Sequence, residues 1–262
     1  GVGLTKKPYL HYTRDTTGST LRLGHPLIEE WRIYYGYTIS DTELTDIGPN
    51  ASAVILRSKD INLTSAGDVA LVRDTRDKIF SPTSGSRNSL SVEYAGGPLG
   101  GDAEYTKLEG STSWYFPLFW STVFHVRGSA GKAFENENNK LPVYEHFYLG
   151  GMNSIRGFDS ASISPRDPLT GDKIGGDKMW FANIEYIFPL IKDMGMDGLI
   201  FHDLGNVYDV DEDWDFGDYK KTAGVGILWA SPLGPLRLAW GYNLDQKAGE
   251  NQSSWDFSMG GT

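Results

Sequence analysis

The sequence contains no cysteine. It therefore has neither a disulfide framework nor a thiolate metal site, and its redox compartment is unconstrained. Basic residues are in deficit: 24 Lys and Arg stand against 34 Asp and Glu, a formal net charge of −10. A surface that follows nucleic-acid phosphates needs clustered Lys and Arg, so nucleic acid is not an expected partner. Long apolar runs are missing as well. No stretch approaches the roughly 18 apolar residues of a membrane helix, and no basic-then-apolar run opens the chain at Gly1. A helical membrane protein is excluded, whereas a β-barrel, which crosses with alternating strands, is not.

Glycine and aromatic residues are abundant instead. The 32 glycines in 262 residues exceed the ordinary share of about 7%, and aromatics make up 13% of the chain, a mix that predicts many strands and turns. Period-two alternation recurs along the chain. In "WRIYYGYTIS", Trp31, Ile33, Tyr35, Tyr37 and Ile39 share one face, opposite Arg32, Tyr34, Gly36, Thr38 and Ser40. "PLRLAWGYNL" puts Leu236, Leu238, Trp240, Tyr242 and Leu244 on its apolar face. "KMWFANIEYIFPL" sets Trp180, Ala182, Ile184, Tyr186 and Phe188 against Phe181, Asn183, Glu185 and Ile187.

Alternation alone also fits a soluble sandwich with one buried face. The connections discriminate. Short proline-bearing turns, "GHPLIEEW", "FSPTSGSRN", "YFPLFW", "FPLIKDMGMDG" and "ASPLGPL", alternate with longer polar links near 41–67, 96–103, 135–177, 208–220 and 245–253. Short turns at one end and long loops at the other are the mark of an antiparallel up-and-down transmembrane β-barrel of an outer membrane. Eleven strands are expected, centred near 22, 35, 73, 92, 110, 126, 184, 202, 226, 240 and 258. A twelfth is expected in "KKPYLHYT", because single-chain barrels usually have an even number. Trp114, Tyr115, Phe116, Phe119 and Trp120 bracket one short turn, where amphipathic rings would rest at the lipid headgroups. "ASAVILRSKD" does not alternate and is read as a short helix on the first long loop.

Motifs for chemistry fail on inspection. "GDKIGGDK" lacks the Lys and Ser or Thr that a phosphate loop requires after Gly176. "DVDEDWDFGD" has calcium-loop spacing of acids, but Trp214 and Lys220 stand where Gly and Glu are needed. The histidines show no metal-ligand spacing, and no G-x-S-x-G elbow is present. Neither an enzyme nor a cofactor or metal site is expected.

Taken together, "FYLGGMNSIRGF", "ANIEYIFPL", "IFHDLGNVYD" and "GILWASPLGPLRLAWGYNL" resemble the C-terminal barrel of the family of the outer-membrane protein assembly factor BamA, over about Tyr12 to Thr262. Residues 154–158, "SIRGF", look like the family's V/I-R-G-F/Y signature, carried on a long loop that folds back inside the barrel. The resemblance implies a loop motif of Gly150, Gly151, Ile155, Gly157 and Phe158 around Arg156, with Glu185 and Asp203 matching the carboxylates that hold the arginine from the wall. Physics agrees: a desolvated guanidinium needs a carboxylate, and its planar fork engages two acceptors where a lysine does so poorly. Glu185 shares a face with Asn183, away from the apolar one, so it points inward. Asp203 is harder to place, because it has the parity of Leu199, Phe201 and Val207; a loop packed inside the barrel would account for apolar residues facing inward there.

The resemblance further implies a single barrel domain over 1–262, a fragment of a larger architecture of about sixteen strands preceded by periplasmic domains. It implies a place in the bacterial outer membrane and a role in inserting nascent outer-membrane β-barrel proteins through a lateral seam. Outer-membrane lipids and accessory lipoproteins are the other implied partners. The seam strand would be "SSWDFSMGGT", with Trp255 and Phe257 and the weakening glycines Gly260 and Gly261. Two rival functions stay open: a protein-translocating pore of the same superfamily, and a passive porin. Inward faces sparse in charge, with a loop available as a plug, argue against the porin.

Overall fold

The computed structural model describes residues 1–8, 12–232, 234–247 and 249–260. Tight reversals alternate with long links. Strand β2 (Thr13–Ile28) turns at Glu29 and Glu30 directly into β3 (Trp31–Thr45), whereas β3 reaches β4 (Leu63–Asp74) only after a link carrying helix α1 (Ala53–Ser58). The scheme repeats through β5 (Gly85–Ala95), β6 (Tyr105–Pro117), β7 (Val123–Glu135), β8 (Lys178–Ile191), β9 (Met196–Tyr208), β10 (Lys220–Ser231), β11 (Gly234–Asn243) and β12 (Ser253–Met259), with β1 (Val2–Pro8) ahead of β2. All twelve form one antiparallel sheet in sequence order, each paired only with its chain neighbours. Among the described residues no pairing joins β1 to β12.

The alternating residues fall as expected. Tyr35, Tyr37, Ile39, Leu238 and Tyr242 are exposed, and Trp255 and Phe257 on β12 are 68% and 65% exposed. An apolar face this extensive suits hydrocarbon, not water. Helix α1 forms where the alternation stops, capped by Ser52, whose hydroxyl accepts from the Ile55 N–H.

Two expectations need correction. "KKPYLHYT" is not one strand: Lys6–Pro8 ends β1 and Thr13 opens β2, which pairs antiparallel with β1, and Tyr9, Leu10 and His11 lie outside the described residues. Tyr115 does not share the outward belt of Trp114 and Phe116. Strand parity turns it inward, where its ring stacks on His125 with centroids 4.2 Å apart.

The core lies on the concave side. The link between β7 and β8, residues 136–177, is touched from strands far apart in the sheet. Arg14 on β2 stands 4.8 Å over the Tyr144 ring, Lys107 on β6 donates to Glu145 at 2.7 Å, and Asp256 on β12 accepts from the Gly157 N–H at 3.1 Å. The sheet therefore curls round this loop. Phe147, Leu149, Ile155, Phe158 and Ile163 of the loop pack with Tyr105, Ala133, Phe181 and Val207 of the wall in one buried apolar cluster.

Candidate functional site

The loop delivers its arginine through a tight local fold. Gly150 and Gly151 both have positive φ, at 114° and 87°, a region that side chains with a Cβ rarely adopt. The Gly150 N–H donates to the Ser154 hydroxyl at 2.8 Å and the Gly151 N–H to the Ile155 carbonyl at 3.0 Å. Ile155, fully buried, anchors the turn, and the next residue is driven into the wall. Beyond it Gly157, at φ 87°, lies backbone to backbone against Gly241 of β11: a Cβ on Gly241 would sit 2.6 Å from the Gly157 Cα.

Arg156 is 5% exposed and Asp203 0%. The guanidinium takes Asp203 side-on, Nε to Oδ2 at 2.8 Å and Nη2 to Oδ1 at 2.7 Å, and the Arg156 backbone N–H adds a bond to Oδ2 at 3.0 Å. Its remaining nitrogen, Nη1, lies 2.6 Å from Glu185 Oε1. The Phe201 ring lies 3.7 Å beneath the guanidinium carbon, a cation–π contact that keeps water off that face. Burial by itself would lower the guanidinium pKa, but Glu185 and Asp203 override it and raise the pKa above its ordinary value.

The carboxylates are themselves held. Asn183, inward on β8, donates to Asp203 Oδ1 at 2.8 Å and to the Ser154 carbonyl at 2.6 Å. Glu185 Oε2 is 2.7 Å from His125 Nδ1, and His125 Nε2 is 2.9 Å from the Ser113 hydroxyl. Hydroxyl, imidazole and carboxylate stand in the order of a hydrolase relay. Ser113, however, sits mid-strand, paired on both sides in the ladder, with its strand amides spent on the sheet and not arranged as an oxyanion hole. The chain orients Glu185 towards Arg156.

Arg156, Glu185 and Asp203 are thus brought into one buried cluster, with Gly150, Gly151, Ile155, Gly157 and Phe158 shaping the loop around it. Asp203 faces inward together with Leu199, Phe201 and Val207, all buried under the loop, so its parity is correct. Trp255 and Phe257 lie apart from the cluster on the outward face of β12. Gly260, at φ 108°, follows the strand and donates its N–H to the Pro235 carbonyl at 2.9 Å; Gly261 lies outside the described residues. Sequence reading missed Asn183 as a ligand of Asp203, His125 as the support of Glu185, and Asp256 as the acceptor for Gly157. Inward parity was the available signal for Asn183; the other two depend on register. The interior is also richer in charge than expected, since Arg76, Arg87, Arg127 and Arg237 all line it at the short-turn end.

One antiparallel sheet paired in chain order, an apolar outer face and an inward loop tied by an arginine define a transmembrane β-barrel of the outer-membrane type. The chain belongs to the Omp85 superfamily, whose domain model matches residues 4–262. It is 38% identical over 260 residues to the outer membrane protein assembly factor BamA of Nitratidesulfovibrio vulgaris, covering 98% of this chain and 33% of that protein. It is 26% identical over 294 residues to the factor of the same name from Neisseria meningitidis, covering 96% and 36%. The chain thus spans about a third of the length of these curated relatives. The crystal structure of BamA from Haemophilus ducreyi lacking POTRA domains 1–3 superposes with a TM-score of 0.79 at 23% identity, over 94% of this chain and 54% of that one, and shares the fold.

Proposed function

We propose that the chain is the barrel portion of an assembly factor in the bacterial outer membrane, which inserts nascent outer-membrane β-barrel proteins by pairing their strands at a lateral seam. The observation that carries this reading is the connection of the loop motif to both the wall and the last strand: Arg156 binds Asp203 on β9 while its neighbour Gly157 binds Asp256 on β12. The outer edge of β12 offers unsatisfied N–H and C=O groups, the template on which a client strand would add. Outer-membrane lipids would contact the apolar face, accessory lipoproteins would complete the complex, and no cofactor is needed because strand pairing supplies the driving force. The names of the relatives support the same reading.

The test is client folding. Purified chain in liposomes should accelerate folding of a urea-denatured β-barrel client, scored by heat-modifiable gel mobility, relative to empty liposomes; equal rates would overturn the proposal. A translocating pore of the same superfamily would instead carry a soluble client into the vesicle lumen. A passive porin would give large, steady conductance in planar bilayers, which the packed loop in the interior opposes.

A further inference from the structure

Guanidiniums gather at the short-turn end of the interior in a group that the Arg156 cluster does not use. A cavity of about 310 Å³ lies there, closed on one side by the 75–84 turn and on the other by Met152 and Arg156 of the loop. Register places Arg87 on β5, Ser113 on β6, Arg127 on β7, Asn183 on β8 and Asp203 on β9 directly opposite one another across successive strands. Directly paired residues leave the same face of a sheet. Asn183 and Asp203 point inward under the loop, so Arg87 and Arg127 point inward too. With strands about 4.8 Å apart, their backbones are about 10 Å apart, on either side of Ser113. Arg237 reaches the same cavity from β11.

None of these three cations forms an ion pair among the described residues; the carboxylate opposite Arg87 in the register, Asp74 on β4, is engaged by Arg76. Among the described residues neither Arg87 nor Arg127 makes a side-chain hydrogen bond; Arg127 lies over the Phe181 ring, 5.1 Å from its guanidinium carbon, and feels the charge of Glu185, which is itself bound to Arg156. Arg237 donates to two neutral oxygens, Asn153 Oδ1 at 2.8 Å and Ser258 Oγ at 3.3 Å, while its Nε is buried without a partner. Arg76, also on the lining, is already neutralised by Asp74. Of the lining carboxylates, Glu185 is occupied by Arg156 and His125, and Asp197 forms no ion pair among the described residues. Like charges around one partly desolvated space repel, and an anion between them relieves the cost. A carboxylate has two oxygens and fills one guanidinium fork; a phosphate group has three or four and can meet several. The facing wall is apolar, built from Ile187, Leu199 and Leu228.

We propose that this cavity is a binding site for a phosphate-type oxyanion held by Arg87, Arg127 and Arg237, with room beside it for the apolar part of a phosphate ester. Thermal melting of the full chain in non-ionic detergent tests it. Inorganic phosphate should raise the melting temperature with increasing concentration, as a ligand of the folded state does, while chloride at matched ionic strength should not. Arg87→Gln and Arg127→Gln should each weaken the apparent affinity roughly tenfold or more. Arg166→Gln, in the exposed part of the long loop, should leave it unchanged. Hexyl phosphate distinguishes the two sources: tighter binding than inorganic phosphate assigns the site to the headgroup of an amphiphile, and equal binding assigns it to free phosphate. No response to phosphate beyond that to chloride, or an undiminished response in both Arg87→Gln and Arg127→Gln, would overturn the proposal.

Discussion

Replacing Arg156 with alanine isolates the buried cluster. The substitution deletes two charge-assisted bonds to Asp203 and one ion pair to Glu185, and leaves a fully buried carboxylate without its cation. Breaking one side of a buried pair costs about 3–5 kcal/mol. The lower part of that range is expected, because Asp203 keeps the residue 156 backbone N–H and Asn183, and Glu185 keeps His125. At about 2–4 °C per kcal/mol for a chain of this size, melting in detergent should fall by roughly 6–12 °C. Protease should then cut within 136–177 under conditions that spare the parent. The companion variant is the double substitution Arg156→Ala with Asp203→Ala. Removing the orphaned carboxylate should return part of the loss, a coupling of about 0.5–3 kcal/mol. Unchanged melting and protease resistance in Arg156→Ala, or strict additivity in the double variant, would refute the reasoning.

Gly241→Ala should act at the next residue of the loop, since its Cβ would meet Gly157 backbone at 2.6 Å; a loss of about 1–3 kcal/mol and easier cleavage of 136–177 are expected. Val225, 52% exposed on the outward face of β10, should tolerate arginine poorly if it faces lipid, at about 2–4 kcal/mol near the midplane, measured by reversible unfolding in liposomes. His146 in the loop donates Nδ1–H to the Ile174 carbonyl at 2.7 Å, and burial holds its pKa below the usual histidine value. The unfolded chain takes up that proton near pH ~6.5 while the folded chain resists. The stabilising contribution is therefore full above that pH and declines as pH falls. Melting curves from about pH 8 to about pH 5 should flatten in His146→Gln; an unchanged slope would exclude this residue.

The fold was legible because lipid and interior impose opposite demands on successive residues. Trp31 to Ile39 and Leu236 to Leu244 therefore announce their strands without help from register. The site was legible in part. Arg156 stood out between Ile155 and Gly157, and Glu185 had a clear inward parity. Asp203 was obscured because the wall beneath a packed loop is dry on its inner side, so Leu199, Phe201 and Val207 imitate a lipid-facing run. Contacts such as Ser113 with His125, or the alignment of Arg87 with Arg127, were out of reach. They depend on how many residues each turn consumes, and strand alternation does not encode that. Tyr115 is obscured for a related reason: it lies beside a turn among outward rings, while its strand parity aims it inward onto His125.

The bonds from Arg156 and Gly157 have a mechanical consequence. Adjacent residues grip β9 and β12, so they work as a spoke tying the rim of the sheet to its middle, with two further strands lying between the anchor points. A pull on the spoke would load the terminal strand and the wall together, because both ends are fastened to neighbouring residues of one loop.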